Sequence, residues 1–161
     1  HHFDWNKKED SVKVIWADFE VNVSTETLEG MAYQGGIILL GDHNKKAVNQ
    51  AIQYFNNDSF WLVAPYKLND PGVLLSSVKV PKGYGLLVTY TQGGSTPGDT
   101  YLWLLDENYF PRAWKMWVKM LPIGGVKSEW MGWKKRKGAW FPGNFETLYW
   151  YKKEVKDLVV Y

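Results

Sequence analysis

The chain contains no cysteine, which excludes disulfides, thiol nucleophiles and cysteine-based zinc sites. Histidine is nearly absent too: His1 and His2 stand at the terminus, and His43 lies in a polar stretch. No His-Glu-x-x-His helix, EF-hand loop, Gly-x-Ser-x-Gly elbow or Walker loop occurs. A serine or threonine nucleophile needs a base, and His43 is the one non-terminal histidine. The expectation is a non-enzyme with no cofactor and no metal. Arginine is limited to Arg112 and Arg136, and the net charge is +2. That is too little basicity for a nucleic-acid partner. No apolar run reaches the roughly 18 residues of a membrane-spanning helix, and the sequence shows no signal-peptide pattern.

Aromatic residues are abundant: 10 Trp, 10 Tyr and 7 Phe in 161 residues. Such side chains favour pleated, half-buried surfaces and are depleted from disordered segments. The length fits a single domain over 1–161, large enough to build a core without staples.

Period-2 patterns dominate. Val12, Val14 and Trp16 alternate with Lys13 and Ile15; beyond Ala17-Asp18, Phe19, Val21 and Val23 alternate with Glu20 and Asn22. This predicts two half-buried strands joined by a tight turn. A further extended stretch, 30–33, meets a Gln34-Gly35-Gly36 turn and the apolar run 37–40. Residues 45–62 differ. Val48, Ala51, Ile52, Phe55, Ser59 and Leu62 recur at three- and four-residue spacing, with Lys45, Lys46, Asn49, Gln50 and Gln53 opposite. This predicts one amphipathic helix, with Asp42 or Asn44 placed to cap it and Asn56-Asn57-Asp58-Ser59 placed to interrupt it.

From residue 73 the pattern returns to strands, at about 73–80, 84–92, 100–106, 112–121, 126–133, 139–150 and 155–161. Short Gly, Pro and Asn links between them predict an antiparallel meander. The fold class is therefore mainly β (α+β): an incomplete antiparallel barrel or curved meander sheet with one helix, about 45–62, across its concave face.

The meander has unlike faces. Trp114, Met116, Val118 and Met120 share one, against Lys115 and Lys119; Val126, Ser128 and Trp130 oppose Lys127 and Glu129; Leu86, Val88 and Tyr90 form a third set. Strand 100–106 is apolar on both sides, so its parity is open between Trp103 and the pair Leu102 and Leu104. One helix is little cover for so many strands, and a curved sheet with a helix over its mouth can hold a cavity. Met and Trp suit such a cavity, the first by flexibility and the second by contact area. The candidate ligand-binding residues are Leu86, Val88, Tyr90, Trp103, Trp114, Met116, Val118, Met120, Trp130 and, from the helix, Phe55. A filled core is the plainer alternative.

Other groups carry less. Asp99, Asp106, Glu107 and Glu129 are a poor carboxylate pair, since Asp106-Glu107 sits in a turn. Asp58, among apolar neighbours, reads as a turn cap. The run Lys134-Lys135-Arg136-Lys137 before Gly138 reads as a basic hairpin tip.

The stretch YFNNDSFWLVAPYKLNDPG (54–72), then GLLVTYTQGGSTPGDTYLWLLDENYFPRAWKMWV (85–118) and Pro122-Ile123-Gly124-Gly125 with Trp130 and Trp133, resembles a group of bacterial envelope proteins similar to the outer-membrane lipoprotein carrier (lipoprotein localisation factor-like) superfamily. The resemblance covers roughly 54–142. It implies an incomplete barrel with an apolar cavity, a periplasmic or outer-membrane-associated location, and an acyl chain or other apolar small molecule as partner, with a lipoprotein or membrane surface behind it. It also implies strands upstream of His1. Carriers of this kind place an arginine or polar contact in the cavity; here only Arg112 is near. The second expectation, of another class, is a carbohydrate-binding β-sandwich that displays Trp117, Trp133 and Trp140 as platforms.

Overall fold

A computed structural model of the chain describes residues 1–81, 83–92, 97–119, 123–147 and 151–161. The chain divides into two compact units, His1–Trp61 (unit 1) and Leu62–Tyr161 (unit 2). The fold is mainly β with a single long helix, its sheets are antiparallel, and none closes into a barrel.

Unit 1 begins with β1 (His2–Asn6), β2 (Ser11–Trp16), β3 (Phe19–Ser24), β4 (Gly30–Gln34) and the short β5 (Ile37–Ile38), which pair in sequence order. The alternating valines decide which face is buried. Val14 lies opposite Val21, and Val12 opposite Val23, so all four point to one side. On that side they pack with Ala32 and with Ala47, Val48, Ala51 and Phe55 of the helix α1 (Gly41–Val63). The Ala17-Asp18 turn is tight enough to hold Ala17 at a left-handed φ of 47°. Gly30 is required by close approach: a Cβ there would lie 2.3 Å from the Asn22 carbonyl oxygen across the β3–β4 ladder.

The helix runs longer than its apolar period predicts. Asn56-Asn57-Asp58-Ser59 does not break it. Ser59 Oγ donates to the Phe55 carbonyl at 2.6 Å, satisfying its hydroxyl inside the helix. Asp58 pairs with His1 Nδ1 at 2.5 Å. Asn44 serves the sheet. Its Oδ1 accepts from Ala32 N–H at 2.8 Å, and its Nδ2 donates to the Gly30 carbonyl at 3.1 Å. β5 pairs with β4 only at Tyr33 and Gln34, so the Asn44 amide extends the ladder where β5 has ended.

Unit 2 contains a short 3₁₀ turn, Ala64–Tyr66, followed by β6 (Val73–Val80), β7 (Gly83–Tyr90), β8 (Thr100–Leu105), β9 (Pro111–Trp117), β10 (Val126–Met131), β11 (Lys134–Arg136), β12 (Ala139–Phe141), β13 (Asn144–Thr147) and β14 (Tyr151–Glu154). Seven form one sheet in the order β14-β13-β10-β9-β8-β7-β6, and β11 with β12 forms the expected basic hairpin between β10 and β13.

Over its described part, 139–147, the strand predicted at 139–150 is two strands; 148–150 lie outside the described residues. Pro142 has no N–H for a ladder, and Gly143 N–H turns to the Met131 carbonyl at 3.0 Å. The predicted last strand, 155–161, is not formed; β14 occupies Tyr151–Glu154 instead. Its partner β13 starts at Asn144, opposite Glu154. The last rung is Val155 N–H to the Gly143 carbonyl at 2.8 Å, and later residues have no strand edge to meet. No helix among the described residues is long and apolar enough to cross a membrane.

Replacing Asn44 with Ala removes both bonds to β4. At a net value of about 0.5–1.5 kcal/mol each, the loss is about 1–3 kcal/mol. The expected result is a lower urea midpoint and faster hydrogen exchange at the Ala32 amide; unchanged exchange there would show that Asn44 does not hold this edge.

Candidate functional site

In an antiparallel ladder, directly paired residues share a face. The register of unit 2 therefore sorts its side chains without ambiguity. Leu86 pairs with Trp103, and Val88 with Tyr101. Trp103 pairs with Trp114, and Tyr101 with Met116. Trp114 pairs with Ser128, Met116 with Val126, and Trp130 with Phe145. The register thus places Leu86, Val88, Trp103, Trp114, Met116 and Trp130 on one face, and Tyr90, two residues after Val88, with them. The parity of the central strand is settled in favour of Trp103; Leu102 and Leu104 lie on the opposite face.

Several of these side chains are deeply buried. Trp114 and Val88 have no exposed surface, Trp103 is 2% exposed and Trp130 4%. Leu86, Tyr90, Met116 and Val118 are half-buried. Met120 lies outside the described residues. Phe55 belongs to unit 1, where it is buried with its ring 5.9 Å from Phe3 and 5.0 Å from Trp5.

The aromatic rings form one connected cluster. Trp130 meets Trp114 at 4.4 Å and Trp103 edge-on at 5.2 Å, and Phe145 meets Trp114 at 5.7 Å. Trp133 continues it, at 6.0 Å from Trp130 and 4.8 Å from Phe110. Edge-to-face and tilted geometries of this kind are the favourable ones for ring quadrupoles. Phe145 is a member that the strand reading of 139–150 overlooked; the alternation Asn144-Phe145-Glu146-Thr147 carried the signal.

The opposite face is divided. Lys115, Lys127, Glu129, Glu146 and Lys152 occupy it from β9 to β14. Lys127 meets Glu129 at 2.5 Å and Lys152 meets Glu146 at 3.2 Å. From β6 to β8 the same face carries Leu74, Leu87, Leu102 and Leu104, and Leu74 is 60% exposed. A cavity of about 630 Å³ opens in unit 2, lined by Leu104, Ala113, Trp130, Met131 and Trp133, with Arg112, Lys127 and Glu129 at its polar side. Of the candidate ligand residues it takes Trp130.

The carboxylates have structural partners. Asp106 accepts from the N–H groups of Asn108 at 2.9 Å and Phe110 at 3.0 Å, which fixes the β8–β9 turn. Asp99 is buried, accepting from Lys119 N–H at 3.2 Å and from Tyr101 O–H at 3.4 Å. No group of three or more metal-ligating side chains gathers among the described residues. Trp117 and Trp140 are 43% and 44% exposed. The Trp117 ring lies against the 124–125 loop: a Cβ on Gly124 would be 2.5 Å from its Cδ1.

Two phenols are perturbed. Burial pushes Tyr90 up to about 12, helped by the charge of Asp70. Burial also raises Tyr101, with Asp99 adding to the shift by its charge and hydrogen bond. An unfolded tyrosine titrates near 10, so above that pH the unfolded chain releases protons that the folded chain retains. Both tyrosines therefore contribute stability that is present below about pH 10 and lost as pH rises through the folded values. Denaturation midpoints measured from pH 8 to 11.5 should fall in the last part of that range, and less steeply for Tyr90→Phe. Equal slopes in the two proteins would remove Tyr90 as a source.

Compared with known proteins, the chain matches no family model, no curated protein and no solved structure.

Proposed function

We propose that unit 2 binds an acyl chain or similar apolar molecule along its aromatic face, without catalysis, in the handling of envelope lipid or lipoprotein. The observation that carries this reading is the grouping of large apolar side chains: the register gathers Leu86, Val88, Tyr90, Trp103, Trp114, Met116 and Trp130 on a single side. A chain laid against that side gains about 0.8 kcal/mol per buried methylene before ordering costs. The half-buried members, Leu86, Tyr90, Met116 and Val118, are where a chain would lie first. The fully buried Trp114 and Trp103 form the floor behind them.

Two indole groups bear on the chemistry of the ligand. Trp103 Nε1 and Trp133 Nε1 are buried with no hydrogen-bond partner among the described residues. An unsatisfied buried donor costs about 1–3 kcal/mol. A ligand with an ester or carboxyl oxygen beside its chain would offset that cost, whereas a pure hydrocarbon would not. The proposed location is periplasmic or at the outer membrane, following the resemblance of residues 54–142 to envelope carriers.

Uptake of a fluorescent fatty acid such as cis-parinaric acid tests the reading. The expected result is saturable binding, and at least about tenfold weaker binding in Met116→Lys, since a buried ammonium opposite an acyl chain costs more than the 1.4 kcal/mol of a tenfold change. Circular dichroism verifies that the variant is folded. A protein that neither takes up the probe nor yields lipid on solvent extraction leaves the aromatic face as filled core and ends the proposal.

A further inference from the structure

Unit 1 contains a second aromatic feature, separate from the face of unit 2. The helix-facing side of its central hairpin reads Val12, Val14 and Trp16 on β2 and Phe19, Val21 and Val23 on β3. The four valines are at most 3% exposed, yet Trp16 and Phe19, at the turn end of the same side, are only half-buried. The difference comes from the helix residues that face them. Where α1 lies nearest the turn it presents Ala47, whose single methyl fills little space, and Gln50. A cleft of about 350 Å³ is left between hairpin and helix, within the range of about 300–1,000 Å³ usual for small-molecule sites.

Its walls are flat. Trp16 and Phe19 stack with ring centroids 5.0 Å apart and planes 5° from parallel, and Tyr54 stands edge-on to Trp16 at 5.4 Å. Its mouth is polar and carries positive charge. His43, Lys46 and Gln50 line it, and their spacing of three and four residues sets them on one helix face. None of the three has a hydrogen-bond or ion-pair partner among the described residues. The carboxylate of Asp18, at the adjoining turn, already accepts from Gln34 Nε2 at 3.1 Å.

An aromatic wall, a space kept open by alanine and an unpaired ammonium at the rim are complementary to one kind of molecule. We infer that this cleft binds a small aromatic anion, with its ring along the Trp16–Phe19–Tyr54 wall and its carboxylate or sulfonate at Lys46 and His43. An aliphatic chain would make no ring-to-ring contact with Trp16, Phe19 or Tyr54, and a neutral ring would leave Lys46 without a counter-charge. Nothing in this site involves unit 2, so it stands or falls independently of acyl-chain binding there.

The test is titration of the full chain with 2-naphthoate, followed by backbone amide shifts in two-dimensional NMR. Saturable shifts confined to residues 16–19 and 43–54 are expected. The neutral isostere 2-naphthamide, and naphthoate with Lys46→Glu, should each bind about tenfold or more weakly, the effect of losing or reversing one charge contact at a ligand. Ala47→Leu should fill the cleft and abolish binding. Lys46 is exposed, so its variant decides the question even if Ala47→Leu perturbs the core. Absence of saturable shifts, shifts confined to unit 2, or unchanged affinity in Lys46→Glu would each overturn the inference. Glucuronate binding in place of naphthoate would overturn the assignment to aromatic ligands.

Discussion

Trp114 stands between Trp103 on one side and Ser128 on the other, and the register that puts it there governs unit 2. A strand alternates with a period of two residues. A slip of one residue on β9 would carry Trp114 and Met116 to the face of Lys127 and Glu129, and bring Lys115 to the aromatic side. The burial of an indole with no exposed surface on one face, against paired charges on the other, makes that slip costly. The same constraint propagates outward. Once Trp114 is placed, Trp103 must share its side, then Leu86 by pairing with Trp103, and Trp130 two residues beyond Ser128.

Unit 1 solves a related problem with smaller parts. Four valines and Ala32 give a smooth sheet face, and α1 meets it through two alanines, Val48 and Phe55. Small residues let helix and sheet approach closely, and the Asn44 amide then takes over backbone groups that a longer β5 would have paired. The same economy of bulk leaves Trp16 and Phe19 incompletely covered beside Ala47. Packing that is dense along the valines and open at the turn is thus one consequence of a single choice of side-chain size along the helix.

Much of this was legible in the residues. The Val12–Trp16 and Phe19–Val23 alternations identify β2 and β3; the spacing of Val48, Ala51 and Phe55 identifies α1; the Lys134–Lys137 run identifies a hairpin tip. Local patterns carried less information where a residue type permits two outcomes. Asn44 reads as a candidate cap because short amides favour helix starts, yet its side-chain partners Ala32 and Gly30 lie on β4, more than ten positions upstream. Asn56-Asn57-Asp58-Ser59 has poor helix propensity, but propensity is a weak prior against tertiary packing. Pro142-Gly143 divides what reads as one strand, and β14 ends where β13 offers no further edge.

The candidate site divides along the same line. Alternation within one strand is a local property, fixed by backbone geometry, so Leu86 with Val88, and Trp114 with Met116, could be grouped from the chain alone. Which groups from different strands share a face is a property of register. Register depends on hydrogen bonds between residues far apart in the chain and on which side is buried. That is why Leu102-Trp103-Leu104 is ambiguous until Trp103 is placed opposite Trp114, and why Phe145 joins the cluster only once β13 is set against β10. Phe55 follows the same rule: helical periodicity marked it as buried, while the three-dimensional packing assigned it to the valine core of unit 1. The cleft beside Ala47 had no local signature at all, because an empty space is defined by the residues that fail to meet across it.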